Sequence, residues 1–181
     1  VTKKVTLLAL LLVIACAVVW AGDTKMGMAG KPTMEAMKAE MMKCTVCKHM
    51  AMHMDEFGPM GMESVKLNDG LTMSHWVKSE DPKKIAAYHA ASDETGKAGE
   101  ACMKMTDEQA KTDLCEFCQS IRAAMQAGAH MSMGKSRKGD VMVLTSADPA
   151  VQTKLSAMQE KCAMMAAMME PPAGGASADK Q

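Results

Sequence analysis

Two short stretches of this chain can do chemistry, and they share one spacing: Cys44-Thr45-Val46-Cys47 and Cys115-Glu116-Phe117-Cys118. A CxxC pair can be a redox centre, half of a metal site, a haem attachment point or part of a disulfide framework. Covalent haem needs His directly after the second cysteine; Lys48 and Gln119 stand there instead, so no haem is expected. A thioredoxin-type thiol sits at a helix N-terminus, where free N–H groups stabilise the thiolate. Thr106-Asp107-Glu108-Gln109 fits a capping box, which predicts a helix from near Asp107 and puts Cys115 some two turns inside it. Thr33-Met34-Glu35 is a second plausible start, with Cys44 again well inside. On that reading neither motif has the setting of a thiol oxidoreductase.

Mid-helix placement also disfavours a bond within each pair. Residues at i and i+3 on a helix are about 5–6 Å apart at Cβ, and a disulfide needs about 3.8 Å. Each pair is therefore expected to meet the third cysteine of its own half: Cys102 for Cys44 and Cys47, Cys162 for Cys115 and Cys118. Three thiolates per cluster suit Cu(I) or, with a fourth ligand, Zn(II). The competing expectation is a set of inter-helix disulfides, such as Cys118 with Cys162.

Methionine, at 23 residues, is far above ordinary use. Thioethers bind Cu(I), but Met also fills cores adaptably. Met26, Met28, Met60, Met62, Met131 and Met133 come as MxM pairs in loop or edge contexts and are the better ligand candidates. Met164, Met165, Met168 and Met169 line one late segment and suggest a packing or protein-partner face. His49 and His53 lie at i, i+4, but neither they nor His75, His89 or His130 has a counterpart in the other half. They read as packing or solvent-facing residues.

Several function classes are excluded by what is missing. Basic and acidic side chains balance at 21 each, with no basic run interleaved with aromatics, which argues against nucleic acid. No Ser-His-Asp order, phosphate-cradling glycine loop or paired carboxylate appears, so no enzyme is expected. Lys3 and Lys4 precede an apolar run from Val5 to Val19, the pattern of a secretory signal over residues 1–21. Val13-Ile14-Ala15-Cys16 offers the alternative of lipidation at Cys16, the one route to a membrane. Either way the domain is expected outside the cytoplasm, periplasmic or extracellular, where disulfides can form.

The elements that must position the cysteines come from an internal repeat. CTVC…DG…VKSEDP…C matches CEFC…KG…LTSADP…C. Leu114, Cys118, Ile121 and Met125 form one helical stripe. Asn68-Asp69-Gly70 and Lys138-Gly139 are hairpin turns. Leu71, Met73, His75 and Val77 alternate along a strand, and Asp81-Pro82 and Asp148-Pro149 start second helices. The expected organisation is a signal peptide (1–21), a linker (22–33), one α-β-β-α repeat over 34–105, another over 106–169, and a disordered tail (170–181). One hairpin cannot bury its own face. Two give an α+β two-layer sandwich, a four-stranded antiparallel sheet with helices on one face. The expected function is an exported protein that binds a soft metal, copper foremost, for sequestration or transfer. The alternative is a structural or interaction module with inter-helix disulfides and a Met-rich partner face.

Overall fold

The structure, a computed structural model, describes residues 34–169. The expected signal, the linker and the tail lie outside the described residues. In chain order the elements are α1 (Met34–Lys43), α2 (Lys48–Phe57), β1 (Met60–Lys66), β2 (Gly70–Val77), α3 (Pro82–Cys102), α4 (Asp107–Asp113), α5 (Glu116–Gln126), β3 (His130–Lys135), β4 (Gly139–Thr145) and α6 (Pro149–Met169). The order α-α-β-β-α thus runs twice along the described chain. The fold class is the expected one, α+β around a four-stranded antiparallel sheet of order β1-β2-β4-β3.

Both turns fall where the sequence put them. Leu67 N–H donates to Gly70 O at 2.9 Å and Ser136 N–H to Gly139 O at 2.8 Å. The two glycines also let the hairpins meet. Gly70 pairs with Thr145 and Gly139 with Trp76 on the central strands. A Cβ at Gly70 would collide with the Leu144 carbonyl, and one at Gly139 with the His75 carbonyl, so both positions need a residue without one.

Strand alternation sends Leu71, Met73 and Val77 to one side, with Met142 and Leu144 beside them on β4. That side is covered by helices. α6 supplies Val151, Leu155, Met158 and Cys162 to the core beneath β2 and β4, and Ile121 and Met125 of α5 pack against it. Val77 meets a second cluster of Phe57, Tyr88 and Ala91 from α2 and α3. The long helices start as expected. Asp81 and Asp148 accept from the N–H of Lys83 and Ala150 at 2.9 and 2.7 Å, and each is itself fixed by a Ser Oγ two residues earlier. Among the described residues no helix is long and apolar enough to cross a membrane.

One element departs from expectation in a way that decides the site. The stripe Leu114–Met125 is not one helix. The chain is extended at Leu114 (ψ 141°) and Cys115 (ψ 161°), which ends α4 and makes Cys115 the N-cap of α5. The capping box at Thr106 is present, but it starts a helix of only seven residues. The freed Leu114 carbonyl accepts from Gln119 Nε2 at 2.7 Å, so the break leaves that buried-side acceptor satisfied. In the first half the helix is also interrupted, by a turn and not by extended residues: α1 ends at Lys43, the chain bends at Cys44 and turns through Cys47, whose ψ is -21°, and α2 starts at Lys48.

Candidate metal centre

Each CxxC motif is therefore a knuckle between two helices. Cys44 follows α1 and Cys47 precedes α2; Cys115 follows α4 and Cys118 lies in the first turn of α5. A backbone hydrogen bond from Thr45 N–H to Asp113 O, 2.8 Å, ties one knuckle to the chain entering the other. Within each knuckle the second cysteine's N–H faces the first cysteine's sulfur. Cys47 N–H lies 3.5 Å from Cys44 Sγ, and Cys118 N–H makes the matching contact to Cys115. Such N–H···S contacts favour a thiolate over a thiol.

The two knuckles face each other. Cys47 Sγ is 3.7 Å from Cys115 Sγ and 3.4 Å from Cys118 Sγ, and the sulfurs of Cys44, Cys47, Cys115 and Cys118 all lie within 4.8 Å of one another. Four sulfurs at about 2.3 Å from a tetrahedral ion are about 3.8 Å apart. The cluster thus has the donor number, donor type and spacing of a four-thiolate metal site. Cys44 and Cys118 are buried; Cys47 and Cys115 are half-buried, which leaves a route from solvent.

The electrostatics of the cluster is compatible with that use. Cys115, at a helix N-terminus, is held far below the ordinary thiol range by hydrogen bonds from Cys118 and then Cys47. Cys118 is pushed far up by its hydrogen bonds to Cys115 and Cys47 and by burial. Cys47 is raised too, through its hydrogen bond to Cys115 foremost. One thiolate is stabilised by its neighbours' S–H groups, and further negative charge is opposed. Four thiolates can share this space when a cation sits among them.

The sequence reading named six thiols, and the structure sorts them. It brings Cys44, Cys47, Cys115 and Cys118 together across the two halves, whereas the expected meeting was within each half. Cys102 closes α3 and packs into the apolar cluster that contains Cys44 and Cys118, outside the four-sulfur group. Burial raises its thiol, with Arg122 acting the other way. Cys162 belongs to the other core, among Leu155, Met158 and Leu144, and its expected pairing with Cys118 does not occur. The reason is the helix break. With Cys115 at an N-cap, Cys118 turns toward the first half and Ile121 and Met125 meet the sheet core.

The histidines stay out of the centre. His49 faces Glu94 at 3.6 Å, and His53 Nδ1 donates to Glu56 Oε1 at 2.8 Å. Of the MxM pairs, Met60 and Met62 are partly buried packing residues, Met131 and Met133 are exposed on β3, and Met26 and Met28 lie outside the described residues. Sequence reasoning missed Met103 and Met105, which pack against the cysteine cluster just after α3. It also missed Arg122, buried at 6% exposure, which donates to Met105 O at 2.6 Å and to Asp107 Oδ1 at 2.8 Å. Comparison with protein-family models, with curated proteins and with solved structures returns no match, so the functional reading rests on this geometry.

Proposed function

We propose that this chain is a non-enzymatic metal-binding protein that holds one thiophilic ion between its two CxxC knuckles, with Zn(II) the ion that suits the site best. The observation that carries the reading is the four-sulfur group, with cross-knuckle distances of 3.4 and 3.7 Å against the roughly 3.8 Å edge of a zinc tetrathiolate. A site closed by four protein ligands leaves no open position for catalysis. The apolar segment Val5–Val19 after Lys3-Lys4 supports export. In an oxidising compartment the bound ion would itself protect the thiols from pairing.

A second reading, sequestration or transfer of Cu(I), draws support from the extra soft donors beside the cluster, Cys102, Met103 and Met105. One experiment separates the readings from each other and from a disulfide framework. Protein purified without chelator is assayed for metal and for free thiols, then reconstituted with Co(II). One ion per chain, with thiolate-to-Co(II) charge-transfer bands, is the expected result. Protein that carries Cys47–Cys118 or Cys47–Cys115 disulfides, and takes no metal after anaerobic reduction, would overturn the proposal.

A further inference from the structure

Four thiolates saturate a tetrahedral ion, yet the soft donors at this end of the molecule do not stop at four. Cys102 is the last residue of α3, 6% exposed, and shares its buried cluster with Cys44 and Cys118. Met103 and Met105, in the turn that follows, press their side chains against the same cluster. A fifth thiol and two thioethers thus belong to or border the apolar cluster that holds two of the four thiols, Cys44 and Cys118. The buried guanidinium of Arg122, anchored on the Met105 carbonyl and paired with Asp107, holds the chain at that corner. Nothing in a Zn(II) tetrathiolate calls for these groups. Cu(I) has different needs: it is satisfied by fewer, softer donors, and a thiolate can bridge two such ions.

We propose that the centre takes two Cu(I) ions where it takes one Zn(II), with Cys102 a ligand of the second Cu(I), Cys44 bridging, and the thioethers of Met103 and Met105 completing the shell. The proposal rests on the four-thiolate reading and extends it. No electron moves: copper arrives and stays as Cu(I), and each coordinating thiol gives its proton to the buffer. Cys102, Met103 and Met105 are consecutive or nearly so in sequence, and Cys44 shares the buried cluster of Cys102, so the second site needs a local adjustment at the end of α3 and none of the sheet.

The test is a stoichiometry. Reduced full-length protein is titrated anaerobically with Cu(I) held by a chromophoric chelator, and in parallel with Zn(II), and the bound ions are counted by native mass spectrometry. Wild type is expected to hold one Zn(II) or two Cu(I). Cys102→Ser should hold one Zn(II) as before but only one Cu(I), and Cys162→Ala, in the other core, should keep two. The double variant Met103→Leu/Met105→Leu should keep the count of two and release the second Cu(I) to the chelator about tenfold more readily. Wild type that binds one Zn(II) and stops at one Cu(I) would overturn the inference while leaving the four-thiolate centre intact. This holds whether or not Cys102→Ser folds. Two Cu(I) in a folded Cys102→Ser would overturn it as well. Wild type that binds neither ion would remove the underlying reading and this one with it.

Discussion

Two of the buried clusters are made of different material. Under the sheet, Leu71, Leu144 and Leu155 are fully buried, with Val151, Met73, Met142 and Met158 around them. At the cysteine end the buried cluster is Cys44, Val46, Cys102, Ala110, Leu114 and Cys118, with a single leucine. A buried Leu or Val is worth about 1.5–3 kcal/mol, and thiols and alanine contribute less per side chain. The sheet core can sustain itself by area. The cysteine end joins two inter-helix knuckles with little apolar mass, and a metal bonded to all four thiolates would supply the link that hydrophobic burial does not. The difference teaches where the metal matters: it would be a local structural element for the start of the described chain up to the first turn of α2 and for 103–121, and a bystander for the sheet and for the end of α2, where Phe57 packs with Val77 and Tyr88.

Removing the metal should give the largest effect and breaks the comparison most directly. An ion present at 1,000 times its dissociation constant stabilises the state that binds it by about 4 kcal/mol. Chelation should therefore strip hydrogen-exchange protection from the amides around Lys48, Ala51 and Gln119, while Leu71–Val77 and Val141–Leu144 keep theirs. Uniform loss across both regions would mean that they form one cooperative unit. Cys118→Ser should cost more metal affinity than the roughly 10–100-fold expected of an outer-shell change, and His49→Ala should cost none. Equal affinities in these two variants would displace Cys118 from the ligand set.

The converse change attacks the other interior. Leu155→Ala opens a cavity at a fully buried position and should cost about 2–5 kcal/mol in urea unfolding. Its effect on metal affinity should be nil, since Leu155 lies in the core that does not contain the knuckles. A drop in affinity would show that strain passes between the two cores, for which Phe117, packed against both, is the obvious carrier.

The same contrast explains how much the sequence disclosed. The sheet side was legible because its signals are local: alternation along Leu71–Val77, turns at Asp69-Gly70 and Lys138-Gly139, and Asp-Pro helix starts at residues 81 and 148. The cysteine side was legible only in its donor types. Periodicity ran the Leu114–Met125 stripe straight through Cys115, because a helical stripe cannot register two extended residues that interrupt it. That one error set the cysteines inside a helix and aimed them at Cys102 and Cys162. A signal was available. Cys47 and Cys118 are each the second cysteine of a CxxC motif and lie 3.4 Å apart, and Gly70 and Gly139 each open one of the two central, antiparallel-paired strands.

Acid should separate the regions by a smaller margin. At the cysteine end, falling pH returns protons to the thiolates and releases metal. At the sheet, the group that responds is His75, which lies opposite Asp140 on the helix-covered face. Burial holds its pKa below the ordinary histidine value, with Asp140 pulling the other way. The unfolded chain therefore takes up this proton first. Stability is present above about pH 6.5 and is lost as pH falls toward the folded value, with a slope of at most about 1.4 kcal/mol per pH unit from one proton. Urea unfolding of metal-free protein at pH 7.5 and 5.5 should show the loss, and His75→Gln should flatten it. An unchanged slope in that variant would assign the acid response to another group.

The smallest effect sharpens the comparison most, because two similar caps serve the two regions. Asp148 caps α6 by accepting from Ala150 N–H at 2.7 Å, and Thr106 caps α4 by accepting from Gln109 N–H at 3.2 Å. Replacing either with Ala should cost about 1 kcal/mol. The cost should surface in different measurements. α6 packs on the sheet core with or without metal, so Asp148→Ala should lower the unfolding midpoint and leave the metal dissociation constant alone. α4 is seven residues long, buries Ala110 alone within its span, and ends at the knuckle that carries Cys115 and Cys118. If the metal orders that end, α4 is paid for at binding. Thr106→Ala should then raise the dissociation constant about fivefold, the equivalent of about 1 kcal/mol, and barely move the unfolding of the metal-free protein. The reverse result, a midpoint shift in metal-free Thr106→Ala with metal affinity unchanged, would mean that α4 is formed before the ion arrives. The cysteine end would then be a prebuilt receptor, and the contrast between the two interiors would lie in composition alone.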